Sequence, residues 1–113
     1  YDYWVSANGS QAAADRVSAR PGHSEHQTGL VADLKAGSCV LECFGTTAAY
    51  TWLREHGAAY GYIQRYPTGL YSITGYEPEA WHWRYVGVTT AQDMKAKGIE
   101  TLEEYFGVNG GDY

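Results

Sequence analysis

Ser24-Glu25-His26-Gln27-Thr28-Gly29-Leu30-Val31-Ala32-Asp33 is the stretch on which the reading of this chain turns. From His23 to Thr28 it is polar and loop-like; from Gly29 to Leu34 it is a short apolar segment that reads as a strand. With a period of two, Leu30, Ala32 and Leu34 share one strand face, while Val31 and Asp33 share the other. A carboxylate inside such a strand is costly unless a cation or hydrogen bonds meet it. A turn at Gly29 would fold the chain back and aim His26 and Asp33 at one point.

A second histidine lies in the clearest strand of the chain, Trp81-His82-Trp83-Arg84-Tyr85-Val86. Trp81, Trp83 and Tyr85 form one face; His82, Arg84 and Val86 form the other. Zinc takes imidazole nitrogen and carboxylate oxygen, and its catalytic sites use three protein ligands plus a water. His26, Asp33 and His82 match that donor set. A lone histidine would read more simply as part of a satisfied polar network.

Around these motifs the pattern is mixed. Residues 2–8 and 10–18 read as two helices broken at Asn8-Gly9, with Ser10 as N-cap of the second. Thr46 or Thr47 caps a helix through His56, ended by Gly57, with an apolar stripe of Ala49, Trp52 and Leu53. Tyr60 to Tyr66 reads as a strand stopped by Pro67, and Tyr71 to Thr74 as its returning partner. Two helical turns close the chain, Thr90–Lys97 and Thr101–Phe106, each opening on a capping-box-like pattern. Few strands and segregated helices predict an α+β fold, a small antiparallel sheet with helices packed on one side.

Composition narrows the function. The 113 residues suit a single domain, 1–113, with one modest core. A net charge of −5 and the lack of any Lys/Arg run argue against a nucleic-acid surface. No apolar stretch approaches the ~20 residues of a membrane-spanning helix. Eleven Tyr and four Trp against two Phe suit a core that opens onto a polar groove. Cys39 and Cys43 lack the second cysteine pair a zinc ribbon needs, which leaves two reduced thiols or a short-loop disulfide; an extracellular setting favours the disulfide. The chain opens on Tyr1 with no signal-peptide pattern, as expected of a processed or truncated piece of a longer precursor.

The pattern S-x-H-x-x-G-x-x-x-D over residues 24–33, followed by E-x-W-H over 79–82, resembles the zinc D-alanyl-D-alanine carboxypeptidases of the VanY type, peptidase family M15. Ala19-Arg20-Pro21-Gly22, Arg65-Tyr66-Pro67, Ile73-Thr74-Gly75-Tyr76 and Leu102 to Gly107 resemble the same branch, which also holds LdcB-like L,D-carboxypeptidases. The resemblance implies a hedgehog/DD-peptidase-like fold, with His26, Asp33 and His82 as Zn2+ ligands and Glu79 as catalytic base. It implies Ser24 as a substrate-holding residue beside the metal. Glu77 competes for the role of base; distance to His82 favours Glu79. Arg65, a bidentate donor for a terminal carboxylate, and Tyr66 and Trp81 as cleft walls complete the expected site.

The implied activity is release of the terminal D-Ala from peptidoglycan stem peptides by a monomer in an extracellular or cell-envelope setting. Two rival readings are an L,D-carboxypeptidase acting on tetrapeptide stems and a catalytically silent zinc module that binds cell-wall peptide. Family members carry an upstream S-G-Y-R-S-type segment whose arginine stabilises the tetrahedral intermediate, and no residues here match it. Val31 stands where the motif has alanine.

Overall fold

The computed structural model describes residues 1–111; the last two residues of the expected 1–113 domain lie outside it. In chain order the elements are α1 (Asp2–Asn8), α2 (Gln11–Ala14), β1 (Val31–Asp33), α3 (Ala48–His56), β2 (Tyr62–Tyr66), α4 (Tyr71–Thr74), β3 (Glu79–Tyr85), α5 (Val88–Lys97) and α6 (Leu102–Phe106). The strands form one antiparallel sheet in the order β1-β3-β2, the α+β architecture expected.

Register decides what this sheet can do. Asp33 pairs with His82, Ala32 with Trp83 and Val31 with Arg84. Cross-strand partners share a face, so the pairing sets the Asp33 carboxylate beside the His82 ring. On the other side Tyr62, Ile63 and Gln64 pair with Tyr85, Arg84 and Trp83, but Tyr66 pairs with Glu79. Two steps along β2 thus face four along β3. That bulge breaks the alternation and lets Glu79, three residues from His82, reach the same side.

The core sits on the Trp83 side of the sheet. Trp83 is 2% exposed, stands edge-on to Tyr50 of α3, and donates its indole N–H to the Ala80 carbonyl at 2.9 Å. A Cβ at Gly57 would lie 3.1 Å from the Trp83 ring, so at the end of α3 the backbone sits closer to the indole than a side chain allows without the ring giving way by a few tenths of an ångström. Ala91 and Met94 of α5 are buried. Gln64 is buried too, and satisfied: its Oε1 accepts from Tyr50 Oη and Arg54 Nη1, and its Nε2 donates to the Glu79 carbonyl.

Several local expectations need correction. The helix expected to run from 10 to 18 ends at Ala14, although Ser10 caps it as expected. The chain then turns so that the Asp15 carboxylate meets Arg20 at 2.6 Å. Tyr71–Thr74 is a helical turn closed by Gly75 at φ 79°, not a returning strand. Its alternating Tyr71 and Ile73 imitate a strand, but the Gly75 N–H bonds back to the Tyr71 carbonyl and closes the segment as a helical turn. The apolar stripe expected on α3 is turned inward only at Leu53: Ala49 and Trp52 are exposed, while Tyr50 and Leu53 are half-buried. Thr47 caps α3 through Tyr50 N. Thr101 likewise caps α6, whereas α5 starts at Val88, so Thr90 caps nothing. Cys39 and Cys43 form a disulfide with Cα atoms 5.1 Å apart.

Candidate metal centre

The loop read as irregular from His23 to Thr28 contains a 3₁₀ turn, Glu25–Thr28. Ser24 caps it by accepting from His26 N at 3.3 Å. Thr28 Oγ1 donates to the Glu25 carbonyl and accepts from Leu30 N. Gly29 closes the turn at φ 73°, a conformation glycine adopts without steric cost. The reversal hands the chain to β1 and brings His26 Nε2 to 3.1 Å from Asp33 Oδ1. Asp33 Oδ1 lies 3.9 Å from His82 Nδ1 across the strand pair.

His26, Asp33 and His82 each offer one ligand atom, and these atoms lie within 4.8 Å of one another. Two imidazole nitrogens and a carboxylate oxygen, converging from a turn and two strands, are a donor set suited to zinc. The Glu79 carboxylate is next to them, with Oε2 3.0 Å from His82 Nδ1. Glu77 is ion-paired with Arg16, and its backbone N donates to the Arg16 carbonyl. The geometry therefore puts Glu79, rather than Glu77, against the three candidate ligands.

Behind the ligands lies a charged network that the sequence did not announce. His82 Nε2 is 2.7 Å from Glu25 Oε1. Glu25 Oε2 accepts from Arg65 Nε at 2.9 Å and from Arg84 Nη1 at 3.1 Å. Arg65 turns its other two nitrogens to Glu103 of α6 at 2.9 and 2.6 Å. Burial disfavours the Glu25 carboxylate, but the hydrogen bond to His82 and the charge and hydrogen bond of Arg65 outweigh it and hold its pKa near 2. Burial likewise opposes a charged His82, but the hydrogen bonds and charges of Glu25 and Glu79 raise its pKa to about 9. Desolvation, reinforced by Glu25, pushes the Tyr66 phenol far above its ordinary value.

Every residue expected in the site lies on one cavity of about 690 Å³: His26, Asp33, His82, Glu79, Ser24, Arg65, Tyr66 and Trp81. Its further walls include Trp4 of α1, His23, Leu41 and Glu42 of the disulfide loop, Tyr76, and Asn109. Tyr66 stacks on Tyr76, with centroids 4.7 Å apart, and leans on His82 at 4.9 Å. Arg65 needs correction as a free carboxylate donor: three N–H groups already serve Glu25 and Glu103, and its charge is offset by both. The unforeseen residues are Glu25, Glu103 and Arg84. Only Glu25 carried a signal, an acid set between Ser24 and His26 on the ligand turn.

Fold and donor set together define a mononuclear metallopeptidase-type domain. The family model for VanY, D-alanyl-D-alanine carboxypeptidase, matches residues 1–88, and the chain belongs to that family. It is 44% identical over 109 residues to YodJ of Bacillus subtilis (strain 168), a protein whose name marks it as a carboxypeptidase; the match covers 94% of this chain and 39% of that protein. The solved LdcB LD-carboxypeptidase superposes with a TM-score of 0.83 at 45% identity, covering 100% of this chain and 58% of the other. A VanY D,D-pentapeptidase variant in complex with Zn(II) gives a TM-score of 0.77 at 38% identity, covering 93% and 61%. The chain thus spans from about two fifths to three fifths of the length of these relatives.

Proposed function

We propose that this chain carries the catalytic centre of a zinc-dependent D,D-carboxypeptidase that releases the terminal D-Ala of peptidoglycan stem peptides. The observation that carries the reading is the Asp33–His82 strand pair, with His26 Nε2 at 3.1 Å on one side and Glu79 Oε2 at 3.0 Å on the other. When bound by His26, Asp33 and His82, zinc supplies Lewis acidity that polarises the carbonyl and makes a water nucleophilic at neutral pH. Glu79 takes the proton of the attacking water and returns it to the leaving amine. The 3₁₀ turn holds the His26 imidazole, and the β1–β3 pair holds the His82 imidazole and the Asp33 carboxylate, in place before substrate arrives, so little reorganisation is left for the reaction itself. Ser24, Tyr66 and Trp81 bound the space in which the peptide end lies. All the proposed ligands and the base come from one chain, so a monomer would suffice for the chemistry, and the Cys39–Cys43 disulfide suits an extracellular or cell-envelope setting.

A second reading, an L,D-carboxypeptidase acting on tetrapeptide stems, is favoured by the likeness to LdcB over the full chain. Retention of Glu79 beside the ligands speaks against a silent binding module, which needs no base. The test is metal content by elemental analysis together with product analysis on pentapeptide and tetrapeptide stems. Zinc near one equivalent with chelator-sensitive D-Ala release from the pentapeptide supports the proposal. Release from the tetrapeptide alone transfers it to the L,D reading. A zinc-loaded chain that releases D-Ala from neither overturns both.

A further inference from the structure

The zinc reading concerns one nitrogen of His82; the structure also says how that nitrogen is chosen. A neutral imidazole has one N–H and one bare nitrogen, and either can be the ligand. Here Nδ1 faces Asp33 and Glu79, at 3.9 and 3.0 Å, and Nε2 faces Glu25 at 2.7 Å. Guanidinium groups only donate, so the two arginines that meet Glu25 Oε2 fix that carboxylate as an acceptor. An ionised Glu25 can therefore engage Nε2 only if Nε2 carries the proton. The side chains of His82, Arg65, Glu25 and Glu103 are 7, 12, 15 and 7% exposed, so little water competes for these bonds. Two carboxylates, Glu25 and Glu103, balance two guanidiniums, Arg65 and Arg84. The quartet is thus satisfied with a neutral imidazole attached.

We propose that Glu25 is a positioning residue for the metal centre: it holds the Nε2 proton of His82, leaving Nδ1 as the donor to the ion, while Arg65, Arg84 and Glu103 fix the carboxylate in place. The inference rests on the zinc reading above. Glu25 touches neither the peptide nor the ion; it acts through His82. Glu103 extends the support to α6, near the end of the chain, so the last helix braces a ligand on the central strand.

The test uses zinc itself as the probe. Chelator competition measures zinc affinity of the wild type, Glu25→Ala, Glu25→Gln and Glu103→Gln, with circular dichroism to verify folding. Loss of an outer partner of a ligating histidine typically costs about 10- to 100-fold in metal affinity. Glu25→Ala is expected at the upper end of that range, and Glu25→Gln, which keeps one acceptor oxygen, at the lower end. Glu103→Gln is expected to lose less than either. Nitrogen-15 NMR of the His82 ring in the zinc-loaded wild type gives an answer that depends on no variant: the proton is expected on Nε2 and the metal on Nδ1. Metal on Nε2, or folded Glu25 variants that bind zinc within twofold of wild type, would overturn the proposal. A wild type that takes up no zinc would instead overturn the reading on which it rests.

Discussion

On one face of β3, Trp83 is 2% exposed and meets Tyr50, Gly57 and the helices behind them. On the other, His82 is 6% exposed and meets Glu25, Glu79 and Tyr66. Both side chains are buried, yet burial is achieved by different physics. Apolar contact around Trp83 is non-directional, so many neighbours of suitable size would serve. The charged face works only if each donor meets its acceptor, because an unpaired charge there costs far more than a misfitting methyl group. Adjacent positions on one strand therefore fail in different ways when altered.

Glu79→Gln tests the polar face most severely. Turnover is expected to fall about 10²- to 10⁴-fold, with zinc still bound and the melting temperature within a degree or two of wild type. Steady-state D-Ala release beside metal analysis checks this; unchanged turnover would remove Glu79 as the base. Trp83→Ala tests the opposite face. Truncating a buried Trp typically destabilises by about 3–5 kcal/mol, which denaturant unfolding would register. If Trp83→Ala lost only zinc and no stability, the division between the faces would collapse.

The polar face should also answer to pH in a way the apolar face cannot. In the metal-free chain His82 has its pKa raised from 6.5 to about 9. The stabilisation it contributes is complete below pH 6.5 and is lost as pH rises through 9. Glu25, lowered from 4.5 to about 2, contributes stability above pH 4.5 that is lost as pH falls toward 2. Chelator-treated protein is thus expected to melt highest between about pH 4.5 and 6.5. Zinc competes with the His82 proton, so zinc affinity is expected to rise with pH up to about 9. Thermal melts across pH, with and without chelator, separate these limbs; a flat alkaline limb in the metal-free chain would break the assignment to His82. The smallest effect is reserved for a residue on neither face: Thr101→Ala, which removes the cap of α6, is expected to cost about 1 kcal/mol.

These differences also explain what could be read in advance. Ser10, Thr47 and Thr101 were legible as caps because a cap and its target lie within three residues. His26, Asp33 and His82 could be grouped in advance because zinc chemistry narrows the donor types and the motif spacing matched a known family; the structure brings their donor atoms within 4.8 Å of one another. Glu25, Arg84, Arg65 and Glu103 were not legible as a network: its bonds join residues 38 to 59 positions apart, and nothing in the spacing of one names its partner. Tyr71–Thr74 was misread because four residues with alternating bulk fit strand and helix alike, and what closes the turn is the backbone of Gly75 at positive φ. Trp52 was placed inward by helical spacing, but its ring stacks on His56 at the surface instead.

β1 has consequences beyond the site it serves. It is three residues long and lies at the edge of the sheet, so its own hydrogen bonds discriminate weakly between neighbouring registers. A slip by one residue would turn Asp33 to the opposite face and leave His82 facing an aliphatic side chain. Such a chain would still resemble the native sheet in its backbone but would hold only two of the three ligands. On the proposed zinc reading the ion would therefore inspect the assembly: it would be retained by the correctly paired chain and, by mass action, draw the population toward that pairing. On that reading a copy that pairs wrongly would forfeit the metal in the same step, so a misassembled sheet would also be an inert one.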